Sequence, residues 1–269
     1  MTAGKQKETK KDRKLNGEFR NGLKDGIPIA LGYFAVSFSL GIAMVTAGLS
    51  VFQGTVMSLV NLTSAGEFAG IRVIAAGGTI VELILTQLII NLRYSLMSLT
   101  LTQKLDDKVT LWQKMIMAFA NTDEIFAVAM NHQKSLTLPY MAGLQSLPIV
   151  GWTAGTFFGA AAGNLMPGRI SAAMSVMLYG MFIAIVIPEA KKSRSVLFVA
   201  AAAIGFSCLF RYAPFLNRVS EGISIIICTI AASVIGAVLF PVEENPEDHA
   251  EENGRKQNIA EAEREESIT

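Results

Sequence analysis

Between Asp25 and Lys104 the chain carries only four charged side chains: Glu67, Arg72, Glu82 and Arg93. A soluble domain of this length could not cover its surface with so little polarity. The chain as a whole has 269 residues, of which 51% are hydrophobic and 17% charged. Even that charge is concentrated at the ends. Residues 1–25 hold eight Lys/Arg against four Asp/Glu, and residues 243–269 hold ten Asp/Glu against three Lys/Arg. The reading is an all-α, polytopic transmembrane helix bundle.

Three regions follow from this distribution. Residues 1–25 read as a basic cytoplasmic tail, 26–241 as the membrane domain, and 242–269 as an acidic, disordered cytoplasmic tail. The first 25 residues lack the apolar core of a cleaved signal peptide. Cys208 and Cys228 both sit in apolar runs and read as small buried hydrophobes, with no disulfide framework implied.

A bilayer core asks for about 20 apolar residues per helix. Candidate spans are 27–48, 51–77, 79–102, 111–131, 138–163, 170–190, 195–211 and 219–240. Pro28, Pro139 and Pro167 punctuate helix starts, and Pro188 and Pro241 helix ends. The bundle is therefore expected to have seven or eight helical segments. One or two of them are broken or re-entrant: 51–77 is interrupted at Ser64-Ala65-Gly66, and 111–131 contains Asn121-Thr122-Asp123-Glu124. The basic N-terminus and the KKSR loop at 191–194 orient both termini to the cytoplasm.

Two further patterns concern packing. PIALGYFAVSFSLG (28–41) echoes PIVGWTAGTFFG (148–159), which suggests a duplicated fold. Gly151, Gly155, Gly159 and Gly163 recur every four residues, a smooth stripe that lets another backbone approach closely. The stripe fits an internal neighbour and a partner subunit equally.

An ionisable group inside a membrane needs a reason, because it costs at least ~2.5–3.5 kcal/mol on insertion scales. Three clusters qualify. In TSAGEF (63–68) small residues break an apolar run and leave backbone N–H groups near Glu67, which a helix N-terminus would stabilise. In residues 81–98, Glu82, Thr86 and Arg93 share one helix face, while Gln87, Asn91, Tyr94 and Ser98 lie opposite. A helix polar on two faces is expected inside the bundle. Arg93 needs an anion from another span or from a solute, or else snorkels to the interface. In the third cluster, Asp123 and Glu124 point about 100° apart, so one can face a cavity while the other caps or pairs.

These clusters, in this order, resemble the AzlC family of branched-chain amino-acid permeases, the large subunits of two-component exporters. The resemblance rests on GLKDGIPIALGYFAVSF, the small-residue break before Glu67-Phe68, NLRY at 91–94 and TDEIFA at 122–127, and it covers about 25–240. The chain departs from the family at Glu67, where an amide is usual, at Tyr94, where a His is usual, and at Ala35, where a Pro is usual.

The resemblance implies export of branched-chain or other neutral amino acids across the bacterial cytoplasmic membrane, with a small AzlD-type membrane partner and no cofactor. Substrate-binding candidates are Glu67, Asn91, Arg93, Asp123 and Glu124. Arg93 would meet the substrate carboxylate, and the acids its ammonium. Glu67, Asp123 and Glu124 are the candidates for a coupling proton, with Glu67 first because it replaces an amide. A channel, a transporter for a different small solute, or a scaffold without transport are the alternatives. An enzyme is not expected: the chain has no HExxH, GxSxG, P-loop or Cys/His metal set, and its two histidines, His132 and His249, lie outside the core.

Overall fold

A computed structural model describes residues 2–106, 109–163, 186–216 and 218–241, with a scatter of residues between 167 and 183; side chains are described from Leu15 onward. Among these residues the fold is all-helical, apart from one isolated bridge between Leu105 and Leu136. The expected span 170–190 and the acidic tail lie largely or wholly outside the described residues.

The helices are α1 (Thr2–Thr46), α2 (Val51–Val60), α3 (Ala65–Ala75), α4 (Ile80–Thr102), α5 (Leu111–Phe119), α6 (Asp123–Asn131) and α7 (Leu138–Gly163), followed by α8 (Arg194–Tyr212) and α9 (Glu221–Leu239). Among the described residues, four stretches are long and apolar enough to cross a membrane: Leu15–Thr46, Ile80–Thr102, Arg194–Tyr212 and Glu221–Leu239. Two of the expected proline breaks are absent. Pro28 lies inside α1, which continues through the basic N-terminal segment, and Pro188 lies inside the helical run 186–192. Pro28 costs α1 one i→i−4 hydrogen bond, and the surrounding turns hold the helix across the gap.

The spine is the pair α1 and α7, which run parallel in a fixed register. Gly151, Gly155, Gly159 and Gly163 each sit against the residue 121 positions earlier, namely Ala30, Phe34, Phe38 and Ile42. A Cβ on Gly155 or Gly159 would collide with the α1 backbone. The glycine stripe is therefore spent on an internal neighbour. The two stretches that echo in sequence are the two helices that lie side by side. At the start of α7, Tyr140 donates to Asp25 of α1 at 2.8 Å and Thr137 to Glu18 at 2.7 Å.

The expected spans 51–77 and 111–131 are each two half-helices that fold back. Asp106 N–H donates to the Leu136 carbonyl and Leu136 N–H to the Lys104 carbonyl, both at 2.9 Å. The α5–α6 segment thus begins and ends at one place, beside the end of α4 and the start of α7. A continuous span would have parted those ends by about 30 Å. The α2–α3 pair does the same from the opposite end: Thr46 and Ala47 line one recess with Ala75 and Ala76. With 9 to 11 residues each, the half-helices reach about 15 Å, half the bilayer core.

α4 is at the periphery rather than inside. Its two polar faces pack on the hairpins and on α9. A third face of Val81, Ile84, Leu88, Leu92, Leu96 and Leu99 is exposed and apolar, as a lipid-facing stripe should be. Cys208 is also exposed, on α8, where no residue is buried. An apolar run there marks an outward face, not the core.

Candidate functional site

Each hairpin has a tip of a few non-helical residues, and both tips arrive halfway along α4. At the first tip the chain leaves α2 through Asn61 and enters α3 after Ser64, a non-glycine residue at φ +50. That conformation is costly for an L side chain. It is held by an amide clasp from α4. Gln87 donates to the Gly66 carbonyl at 2.7 Å and accepts from Asn61 at 3.3 Å and from Asn91 at 3.1 Å. Side-chain atoms of Asn91 crowd the place where a Gly66 Cβ would stand. Glycine at 66 is what lets α3 come this close.

At the second tip the chain turns through Ala120-Asn121-Thr122 into α6, whose first residues are Asp123 and Glu124. Two carboxylates in a first turn suit the positive end of the helix dipole. Neither is spent on capping. Asp123 Oδ2 meets Arg93 Nη1 at 2.9 Å. Glu124 accepts from the Tyr33 hydroxyl of α1, which also shares a hydrogen bond with Thr122. The helical spacing of about 100° had separated their directions, and they reach different partners accordingly.

Arg93 joins the two tips. Its Nη2 donates to its neighbour Tyr94 at 3.0 Å, its guanidinium lies 4.8 Å from the Tyr94 ring centre, and Tyr94 donates to the Thr63 carbonyl at 3.3 Å. The Arg93 and Asp123 side chains are each 46% exposed, so the ion pair is only half covered by packing. A guanidinium with free donors beside a half-open carboxylate can exchange its partner for another carboxylate.

Two buried carbonyl oxygens at the tips have no hydrogen-bond donor: Asn91 Oδ1 at the first and Asn121 Oδ1 at the second. Their amide nitrogens are occupied, Asn91 with Gln87 and Asn121 with Ser98 at 3.2 Å. A buried acceptor without a donor is uncommon and marks a place for a water or an ammonium group.

Glu67 belongs to a different part of the molecule's centre. It is fully buried in the first turn of α3, but it points to α2 and α7, away from Arg93. Its carboxylate accepts from the Ser58 hydroxyl and from the Trp152 indole N–H at 2.8 Å, and Ser58 in turn meets Thr156 at 2.7 Å. The five candidates therefore fall into two groups. Arg93, Asp123, Glu124 and Asn91 lie at the two tips along α4, and Glu67 sits in a buried clasp. Tyr33, Ser58, Trp152 and Thr156 were not among the sequence candidates. The buried indole was the available signal, because its N–H needs an acceptor wherever it is buried.

The family follows from the residues that build this centre. The family model for the AzlC protein matches residues 28–166, just over half of the chain and the whole of both hairpins. The chain belongs to the AzlC family. It is 27% identical over 194 residues to the inner membrane protein YgaZ of Escherichia coli (strain K12), covering 70% of this chain and 79% of that protein. It is 28% identical over 223 residues to an uncharacterized membrane protein of Archaeoglobus fulgidus, covering 82% and 93%. A Helicobacter pylori (strain 26695) membrane protein, also uncharacterized, is 29% identical over 115 residues, covering 41% and 50%. No solved structure matches the chain. As an AzlC-family protein with long apolar helices, it is a membrane protein whose architecture is transporter-like.

Proposed function

We propose that this chain is the large subunit of a secondary transporter that exports branched-chain or other neutral amino acids across the bacterial cytoplasmic membrane, with a small AzlD-type partner and a coupling proton. The observation that carries the reading is the half-open Arg93–Asp123 pair between two hairpin tips at mid-bundle. Substrate sites at the midplane, built from half-helices and broken backbone, are a general device of secondary transporters.

The chemistry suits a zwitterion. Its carboxylate takes the Arg93 fork in place of Asp123, at the same end of α6 where the helix dipole favours negative charge. The freed Asp123, with Glu124 and the two unpaired amide oxygens, receives the ammonium. Apolar side chains around the tips, among them Leu62, Ile71 and Ile149, receive the aliphatic side chain. Glu67 is the proton site. A fully buried carboxyl whose hydrogen-bond partners are an alcohol and an indole lacks a neutralising cation, so proton uptake is its way to lose charge.

The test is efflux of preloaded labelled leucine, isoleucine and valine from vesicles carrying the full chain, with and without the small partner. Flux that needs the partner and vanishes in Arg93→Gln and Asp123→Asn, with both variants folded and in the membrane, supports the reading. Absence of flux for every substrate with the partner present overturns it.

A further inference from the structure

An unbroken line of contacts joins the buried acid to Glu124 at the second tip. Glu67 on α3 accepts from the indole N–H of Trp152 on α7 at 2.8 Å. The Trp152 ring meets the Tyr33 ring of α1 edge-on, with centroids 5.3 Å apart and planes at 73°. The Tyr33 hydroxyl in turn bonds Glu124 and Thr122 at the start of α6. Four elements thus meet through two aromatic side chains. Trp152 is buried, and it packs with Leu40, Met44, Leu62, Ile71 and Ala120, so its ring cannot move without its neighbours.

We propose that Trp152 and Tyr33 are positioning residues that couple the protonation state of Glu67 to the affinity of the Arg93–Asp123–Glu124 centre for its solute. The proposal rests on the transporter reading above. An N–H bond to an ionised carboxylate is about twice as strong as one to a neutral acceptor. With Glu67 ionised, Trp152 is held on it, and Tyr33 is held by the ring contact so that its hydroxyl reaches Glu124. When Glu67 takes a proton from water, one of its oxygens becomes a donor, Ser58 turns to accept, and the grip on the indole weakens. The carboxyl O–H bond forms as an O–H bond of a hydronium ion breaks, leaving water, and the reverse transfer returns the proton.

Among the described residues, Glu67 is the carboxyl on this side without a partner from a charged residue or a backbone N–H, since Glu82 of the adjacent α4 accepts from the Gly222 N–H at 2.8 Å. α2, α7 and the part of α1 beyond Asp25 carry no charged residue, and the other charge on α3, Arg72, is paired with Glu221. On the other side, the groups facing Tyr33 and Glu124 are Asp123 of α6 and Arg93 and Tyr94 of α4. A titration arising there is separated by its sensitivity to Asp123→Asn.

The chain has two tryptophans, Trp112 and Trp152, and Trp112 is an exposed residue of α5 outside both groups. In a Trp112→Phe background the full-length protein in vesicles reports Trp152 alone. Its emission is expected to titrate with pH and to lose that titration in Glu67→Gln but not in Asp123→Asn. Binding of labelled L-leucine is expected to change about tenfold across the same titration, a factor worth ~1.4 kcal/mol. Tyr33→Phe should keep the fluorescence titration and flatten the leucine dependence.

A Trp152 emission that ignores pH, or that titrates unchanged in Glu67→Gln, overturns the coupling. So does a Tyr33→Phe protein whose leucine affinity still follows pH in full. A Trp152 titration that depends on Glu67 in a protein that binds no leucine with or without the small partner upholds the Glu67–Trp152 link and sinks the amino-acid reading instead.

Discussion

Single side chains at the two tips have separable roles. Arg93 uses both arms of its fork, one on Asp123 at 2.9 Å and one on Tyr94 at 3.0 Å. Lysine has the charge without the fork. Arg93→Lys is therefore expected to weaken leucine binding by at least about tenfold, roughly 1.4 kcal/mol, while leaving the protein's melting temperature nearly unchanged. Equal binding by Arg93→Lys would show that a point charge suffices. Ser64 supplies a stability prediction. Its φ of +50 is natural for glycine, so Ser64→Gly is expected to stabilise the protein by about 1 kcal/mol, read as a higher melting temperature in detergent. Arg93, Asp123 and Glu124 were legible in the sequence because a charge in an apolar run is conspicuous. Trp152 and Tyr33 were not, because an aromatic residue in such a run reads as core until its polar atom is seen to have a partner.

Among the elements, the α1–α7 pair carries the packing. Gly159 lies against the backbone of Phe38, with no room for a Cβ, whereas Gly32, on the same helix pair, has open space around it. Gly159→Leu is expected to force the two helices apart and cost about 1–3 kcal/mol or more. Gly32→Ala should stabilise α1 by about 0.5–1 kcal/mol. Thermal unfolding of the two variants against wild type checks both signs together. The spacing of four glycines at every fourth position made this interface visible in the sequence. Its partner was not visible, since a small-residue stripe says only that something comes close. The echo between 28–41 and 148–159 pointed to the right pair of helices. What it could not show is that the two segments become direct neighbours.

For the whole molecule, the sequence reading left open whether 51–77 and 111–131 are broken spans or re-entrant, and the structure folds both back. Breaks at Ser64-Ala65-Gly66 and at Asn121-Thr122 were apparent from small and polar residues in apolar runs. But α2 with α3, and α5 with α6, each hold enough apolar residues to cross a bilayer. Hydropathy measures apolar length and is blind to a reversal in the middle. The information lies in a non-local pairing, Leu105 with Leu136, which no window on the sequence contains. With both hairpins folded back from opposite ends, their tips meet at Arg93. That meeting is the basis of the proposed transport site.

Labelling of single cysteines with a membrane-impermeant thiol reagent, in a background without Cys208 and Cys228, tests this arrangement most directly. Gln103→Cys and Ser135→Cys flank the α5–α6 hairpin, and Thr46→Cys and Ala76→Cys flank α2–α3. Gln103→Cys and Ser135→Cys are expected to react from one side of the membrane, and Thr46→Cys and Ala76→Cys from the other. Reaction of Gln103→Cys and Ser135→Cys from opposite sides would make 111–131 a spanning helix, and the two tips could not meet at Arg93.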